Sequence, residues 1–162
     1  MFHHPGFNSS IDHYEQQQTR LLAPLFEKGN VDIVFAGHVH NYQRSYPLTF
    51  KPDGKGIQLI GGRDGKTARG KIVNGHWHLD KLFNGTNITK TNGVIYIVTG
   101  AGGQDLYNPE QQNDKDSWQG FTAKFISQFH TFTKVDIQNK KLTLKQLNAK
   151  GVTVDSFILT HQ

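Results

Sequence analysis

Residues 35 to 44 read Phe35-Ala36-Gly37-His38-Val39-His40-Asn41-Tyr42-Gln43-Arg44, directly after the run Val31-Asp32-Ile33-Val34. A short apolar run rich in β-branched residues and closed by glycine reads as a buried strand, Val31 to Ala36, with its exit turn. Two histidines then stand two positions apart behind the glycine. Histidines at strand ends are common and can be purely structural. Neutral imidazole is also the commonest metal ligand, and open α/β sheets collect ligands at the carboxyl ends of their strands.

Upstream, Met1-Phe2-His3-His4-Pro5 runs an apolar pair straight into two histidines and a proline. This reads as the end of a strand whose beginning lies elsewhere, so Met1 is expected to be internal to a longer protein. Asn8-Ser9-Ser10-Ile11-Asp12 is a polar turn rich in capping residues. Leu21, Leu22, Leu25 and Phe26 follow at helical spacing, and Gly29-Asn30 stops the helix. Pro24 lies inside that pattern and is expected to kink the helix or end its regular part. His3, His38 and His40 therefore each follow a strand end, in two segments joined by a helix. Parallel neighbouring strands would bring those ends together, and three imidazoles suit a borderline metal ion.

Downstream, residues 48–90 are basic and glycine-rich, with weak strand signals at Ile57–Ile60 and Gly75–Leu79. Val94 to Val98 is a strong central-strand signal ending in Thr99-Gly100-Ala101-Gly102-Gly103, a tight turn with close backbone approach. Gln104 to Gln119 reads as polar loop. Thr131 to Ile158 alternates apolar and polar in three runs broken at Asn139-Lys140 and Ala149-Lys150-Gly151, which predicts an antiparallel meander.

Composition narrows the classes. The 162 residues suit a single domain with a real core, and no apolar stretch approaches the roughly 18 residues that span a bilayer. With no cysteine, any metal must rest on His, Asp, Asn or Glu. The net charge is +5. The excess falls on Lys51, Lys55, Arg63, Lys66, Arg69 and Lys71, and again on Lys140, Lys141, Lys145 and Lys150. The first group reads as a solvated loop and the second as edge lysines of a hairpin. No nucleic-acid-binding motif accompanies them.

Phe2-His3-His4-Pro5-Gly6-Phe7-Asn8-Ser9-Ser10, a helix, and then Val31 to Arg44 together resemble the C-terminal half of the calcineurin-like metallophosphoesterases. Within these the chain is most similar to the purple acid phosphatases, which carry an H-x-P turn and a G-H-V-H-x-Y-x-R segment. The resemblance in order and spacing runs from Met1 to about Tyr46, with a looser match through the strand and turn at 94–103 and the final strands. It implies an α/β fold: the C-terminal half of a two-sheet metallophosphoesterase sandwich with a terminal antiparallel meander. Residues 1–162 would form the C-terminal part of the catalytic domain, with 48–90 as a basic insertion. The implied activity is hydrolysis of phosphate monoesters at a dinuclear centre of Fe, Zn or Mn, in a secreted or periplasmic parent.

By the same resemblance, His3 and His38 serve one metal, His40 the other, and His13 meets the phosphate and helps protonate the leaving group. His4 occupies a variable position and is read as structural. Tyr42 and Arg44 support the histidine loop. Gln43 stands where the family often has glutamate, and Asp12 where some relatives carry a second substrate histidine. The family's G-D-x-x-Y and G-N-H segments, with their bridging aspartate and asparagine, do not occur in the chain. The expectation is therefore that the missing N-terminal half is needed. The chain by itself would hold at most one weakly bound ion and be inactive. The alternative is a non-catalytic anion- or nucleic-acid-binding module that retains the histidines as remnants. His76 and His78 read as a surface pair and His130 as a packed strand-end residue. Asn8, Asn84 and Asn87 stand in glycosylation sequons.

Overall fold

Strand β1, Ile33–Ala36, pairs in parallel with β7, Ile95–Thr99, setting Ile33 opposite Ile95 and Ala36 opposite Val98. The computed structural model describes residues 1–54, 60–62 and 71–161. On the other side of β7 runs β2, Tyr42–Ser45, antiparallel to β7 and to β8, Thr122–Ile126, giving the order β1-β7-β2-β8. The period-2 pattern does not announce β2, because Gln43, Arg44 and Ser45 are polar. Its burial comes from lying inside the sheet, where Tyr42, Gln43 and Ser45 are all covered.

β7 is buried on both faces, and its residues divide between two cores. Val94 and Tyr96 join Phe7, Leu48, Phe50 and Phe121 on one side. Ile95 and Ile97 join Tyr42, Leu144, Phe157 and Leu159 on the other. The second core lies beneath a three-stranded meander of β9, Thr131–Gln138, β10, Lys141–Asn148, and β11, Thr153–Thr160, in the order β11-β10-β9. Its two turns fall at the predicted breaks, with Asn139 at φ 54° and Gly151 at φ 79°, both left-handed.

The first core is closed by α1, Ala23–Lys28, and by the antiparallel pair β3, Leu48–Pro52, and β6, Gly75–Leu79. A shorter pair, β4 (Ile60–Gly62) and β5 (Lys71–Val73), lies within the basic stretch. The remainder of the predicted strand at 57–59, and Lys55, Arg63, Lys66 and Arg69, lie outside the described residues. Pro24 does not kink the helix. A 3-10 turn at Gln18–Leu22 precedes α1 and Pro24 sits in its first turn, where no intrahelical N–H bond is lost. The fold is thus mixed α/β: a central sheet sandwiched against an antiparallel meander, with helix and hairpins on its other face.

Candidate metal centre

The site grows from one backbone bridge. Phe2 pairs in parallel with Ala36, its N–H reaching Phe35 O at 2.9 Å, while the Gly37 N–H reaches His3 O at 3.1 Å. That bridge sets His3 beside the turn that follows β1. The turn is tight: Val39 N–H donates to Gly37 O at 2.7 Å and Asn41 N–H to Val39 O at 2.8 Å. His38 takes φ 64°, a left-handed conformation that a residue with a Cβ adopts only at a cost. The turn also crosses the end of β7, where a Cβ on Gly100 would lie 2.2 Å from Val39 O. Close approach is therefore what Gly100 supplies; Gly102 and Gly103 have open space around them.

His38 is the hub of an imidazole cluster. Its Nδ1 lies 3.0 Å from His3 Nε2, so the two rings share one proton between them. Ring centroids stand 4.7 Å away for His3, 4.2 Å for His4 and 4.1 Å for His13. Burial, and then the neighbouring His13, His4, His3 and His40, push the His38 ring down to about 4. His4 is lowered as well, by burial first and then by His3 and His13. At neutral pH His38 is thus a bare imidazole. Its Nε2 is buried and has no hydrogen-bond partner.

The ring nitrogens of His3, His4 and His38 fall within 4.8 Å of one another, and no carboxylate joins this group among the described residues. An orphaned, buried ring nitrogen in an all-imidazole set fits a borderline metal ion such as zinc. The variable position, His4, is therefore inside the cluster, which the motif spacing did not indicate. The signal was adjacency to His3: past a strand end the chain turns, and two neighbouring rings can face one opening.

His40 lies on the far side of the turn and is outside that group. Its Nδ1 contacts Asp105 O at 2.9 Å and its ring stacks on Tyr107 at 4.2 Å and 14°. With the carbonyl as acceptor, the proton sits on Nδ1 and Nε2 keeps its lone pair, the tautomer of a metal ligand held by an outer partner. His13, at φ 61°, has its Nδ1 3.0 Å from Gln16 Nε2 and lies 5.4 Å from the Tyr107 ring. Tyr107, in the predicted polar loop, stands between His13 and His40, and nothing in its local sequence marks it.

Gln43 ties the two histidine loops together. Its Oε1 accepts from Ser9 N–H at 2.7 Å, and its Nε2 donates to Asn8 Oδ1 at 2.7 Å and Asn41 Oδ1 at 2.9 Å. Tyr42 and Arg44 reach away from the histidines. Tyr42 Oη donates to Asp155 Oδ2 at 2.8 Å, and Arg44 donates to both Asp155 oxygens at 2.7 and 3.1 Å. The Asp12 backbone N–H donates to Asn108 Oδ1 at 3.1 Å, tying its loop to the one at Asn108. His76 is an exposed strand residue 3.2 Å from Asp53, and His130 contacts Ala101 O at 3.1 Å.

Comparison with known proteins shows what the chain is similar to. Purple acid phosphatase 19 of Arabidopsis thaliana is 45% identical over 47 residues, 28% of this chain and 12% of that protein. An acid phosphatase of Aspergillus ficuum is 26% identical over 140 residues, 86% of this chain and 19% of its own. Purple acid phosphatase PPD1 from yellow lupin seeds superposes over 98% of this chain and 24% of its own, with a TM-score of 0.61 at 19% identity. The chain resembles a purple acid phosphatase C-terminal region. It spans less than a quarter of the length of these relatives. The Fe(3+)-Zn(2+) purple acid phosphatase 12 of Arabidopsis is 43% identical over 47 residues, 28% of this chain and 10% of that protein. No protein-family model matches the chain. Among the described residues, no helix of this purple acid phosphatase-like region is long and apolar enough to cross a membrane.

Proposed function

We propose that this chain supplies the histidine half of a dinuclear phosphoesterase centre and that the intact protein hydrolyses phosphate monoesters. The observation that carries the reading is the convergence of His3, His4 and His38 around a buried, partnerless nitrogen, with His13 against the hub. His3 and His38 would hold one cation, with His4 beside them, and His40 Nε2 would face the second. Iron and zinc, the metals in the name of the Arabidopsis relative, fit these imidazole donors. Such cations supply Lewis acidity toward phosphate oxygens and toward an attacking water.

The residues of the chain do the rest. Asp105 O holds the His40 tautomer. The Gln43 bridge keeps the two histidine loops in register. His13, beside the hub, would in its protonated form meet the phosphate and help protonate the departing alkoxide. Among the described residues the cluster has no carboxylate that could lie between two cations. Without one, two charges at about 3.5–4 Å would repel unrelieved. A further N-terminal segment, residues 48–90 aside, would bring that carboxylate along the outer edge of β1, which among the described residues meets only the Phe2 bridge.

The test is phosphate release from an aryl phosphate with a chelator control. Residues 1–162 alone are expected to turn over negligibly with zinc, manganese or iron added. In the complete protein, His38→Ala or His40→Ala should remove most turnover and His13→Ala should lower it less. Robust chelator-sensitive turnover by the isolated chain would overturn the half-site reading.

A further inference from the structure

A concavity of about 380 Å³ forms where three separate stretches meet, and it shares no residue with the histidine cluster. Tyr46 enters it from just past β2, Lys81 from just beyond β6, Lys115, Trp118 and Gln119 from the stretch leading into β8, and Lys124 from β8 itself. Among the described residues the lining holds three lysines and no carboxylate. None of the three ammonium groups takes part in an ion pair among the described residues.

The aromatic walls are fixed. Trp118 Nε1 donates to Gln111 O at 2.7 Å, and its ring stacks on Phe125 at 5.8 Å and 22°. Lys81 Nζ lies 5.7 Å from the Tyr46 ring centroid, a cation–π contact that holds that ammonium at the pocket. Like charges brought to one concavity repel, and a multivalent anion turns that repulsion into attraction. Lysine binds phosphate as a point charge, and the volume lies within the range of small-molecule sites.

We propose that this pocket binds a multivalent phosphate group of a small molecule through Lys81, Lys115 and Lys124, without metal. The inference goes beyond the phosphoesterase reading and does not depend on it. The chemistry is shared by free polyphosphate and by a nucleoside triphosphate, whose ring would add contact with Trp118.

Calorimetric titration of the 162-residue chain with tripolyphosphate, and separately with ATP, tests it, in a chelator and at constant ionic strength. Saturable binding is expected, unchanged by His38→Ala. The double variant Lys115→Gln/Lys124→Gln should bind at least 10-fold more weakly. Lys141→Gln/Lys145→Gln, which removes the same charge from exposed positions of β10, should bind as the parent does. Tighter binding of ATP than of tripolyphosphate assigns a ring contact to Trp118; equal binding assigns the site to phosphate alone. Absence of saturable heat in a chain shown folded by circular dichroism would overturn the proposal. Equal losses in the two double variants would reduce it to diffuse charge and overturn it too.

Discussion

At the residue scale, His38 concentrates strain, burial and chemistry in one side chain. Its left-handed backbone and partnerless Nε2 are costs that a packing role would not require. Because its folded value is about 4 against 6.5 for a free ring, the unfolded chain takes up a proton first as pH falls. The stability that the neutral ring contributes is therefore complete above about pH 6.5 and is lost as pH falls through about 4. Melting temperature is expected to fall on going from pH 7 to pH 4.5, and His38→Asn should flatten that slope. An identical slope in the variant would place the acid sensitivity elsewhere. Gln43 teaches a related lesson. Its amide donates to two oxygens while accepting one backbone N–H, a pattern a carboxylate at this position could not reproduce.

At the element scale, the turn after β1 and the strand β2 depend on contacts that each carry a specific cost. Gly100→Ala would press a Cβ against Val39 O at 2.2 Å, so either the histidine turn or the end of β7 must move. Urea denaturation is expected to register a loss at the upper end of the roughly 1–3 kcal/mol typical of overpacked sites. The link from β2 to β11 is ionic. Arg44 and Asp155 pair at 2.7 Å with side chains 16% and 8% exposed, and Tyr42 shares the same carboxylate. Burial pulls the Arg44 guanidinium down, but the Asp155 hydrogen bond and charge outweigh it. Burial, and then Asp155, raise the Tyr42 hydroxyl well above its usual range. Asp155→Ala leaves a buried cation unpaired and should cost about 3–5 kcal/mol in the same urea experiment. A loss below about 1 kcal/mol would mean that the meander docks by its apolar residues alone.

At the scale of the whole molecule, the sheet β1-β7-β2-β8 leaves β1 at its edge, met there by a single-residue bridge. An edge carrying unpaired backbone groups is a template for another strand. The isolated chain is expected to self-associate in a concentration-dependent way, read by size-exclusion chromatography with light scattering. Monodisperse monomer with a high cooperative melting temperature would show that the edge is already satisfied. The same edge is where the proposed phosphoesterase centre would seat an additional strand.

Local pattern determined much of this protein. The alternation in 131–160, the apolar run at 94–98 and the strand ending at Ala36 each specify an element through side-chain period alone, and the breaks carry residues that tolerate left-handed backbone. His3, His13, His38 and His40 stand out in the sequence because metal-ligand chemistry restricts residue type and order, and the fold brings the His3 and His13 rings against His38. Long-range packing decided the rest. β2 and β8 are buried by neighbours far away in sequence, His4 faces the hub because Phe2 pairs with β1, and His40 is oriented by Asp105 and Tyr107 from a loop more than 60 residues on. Such contacts leave no periodic trace, since each is made between segments that come together only when the central sheet forms.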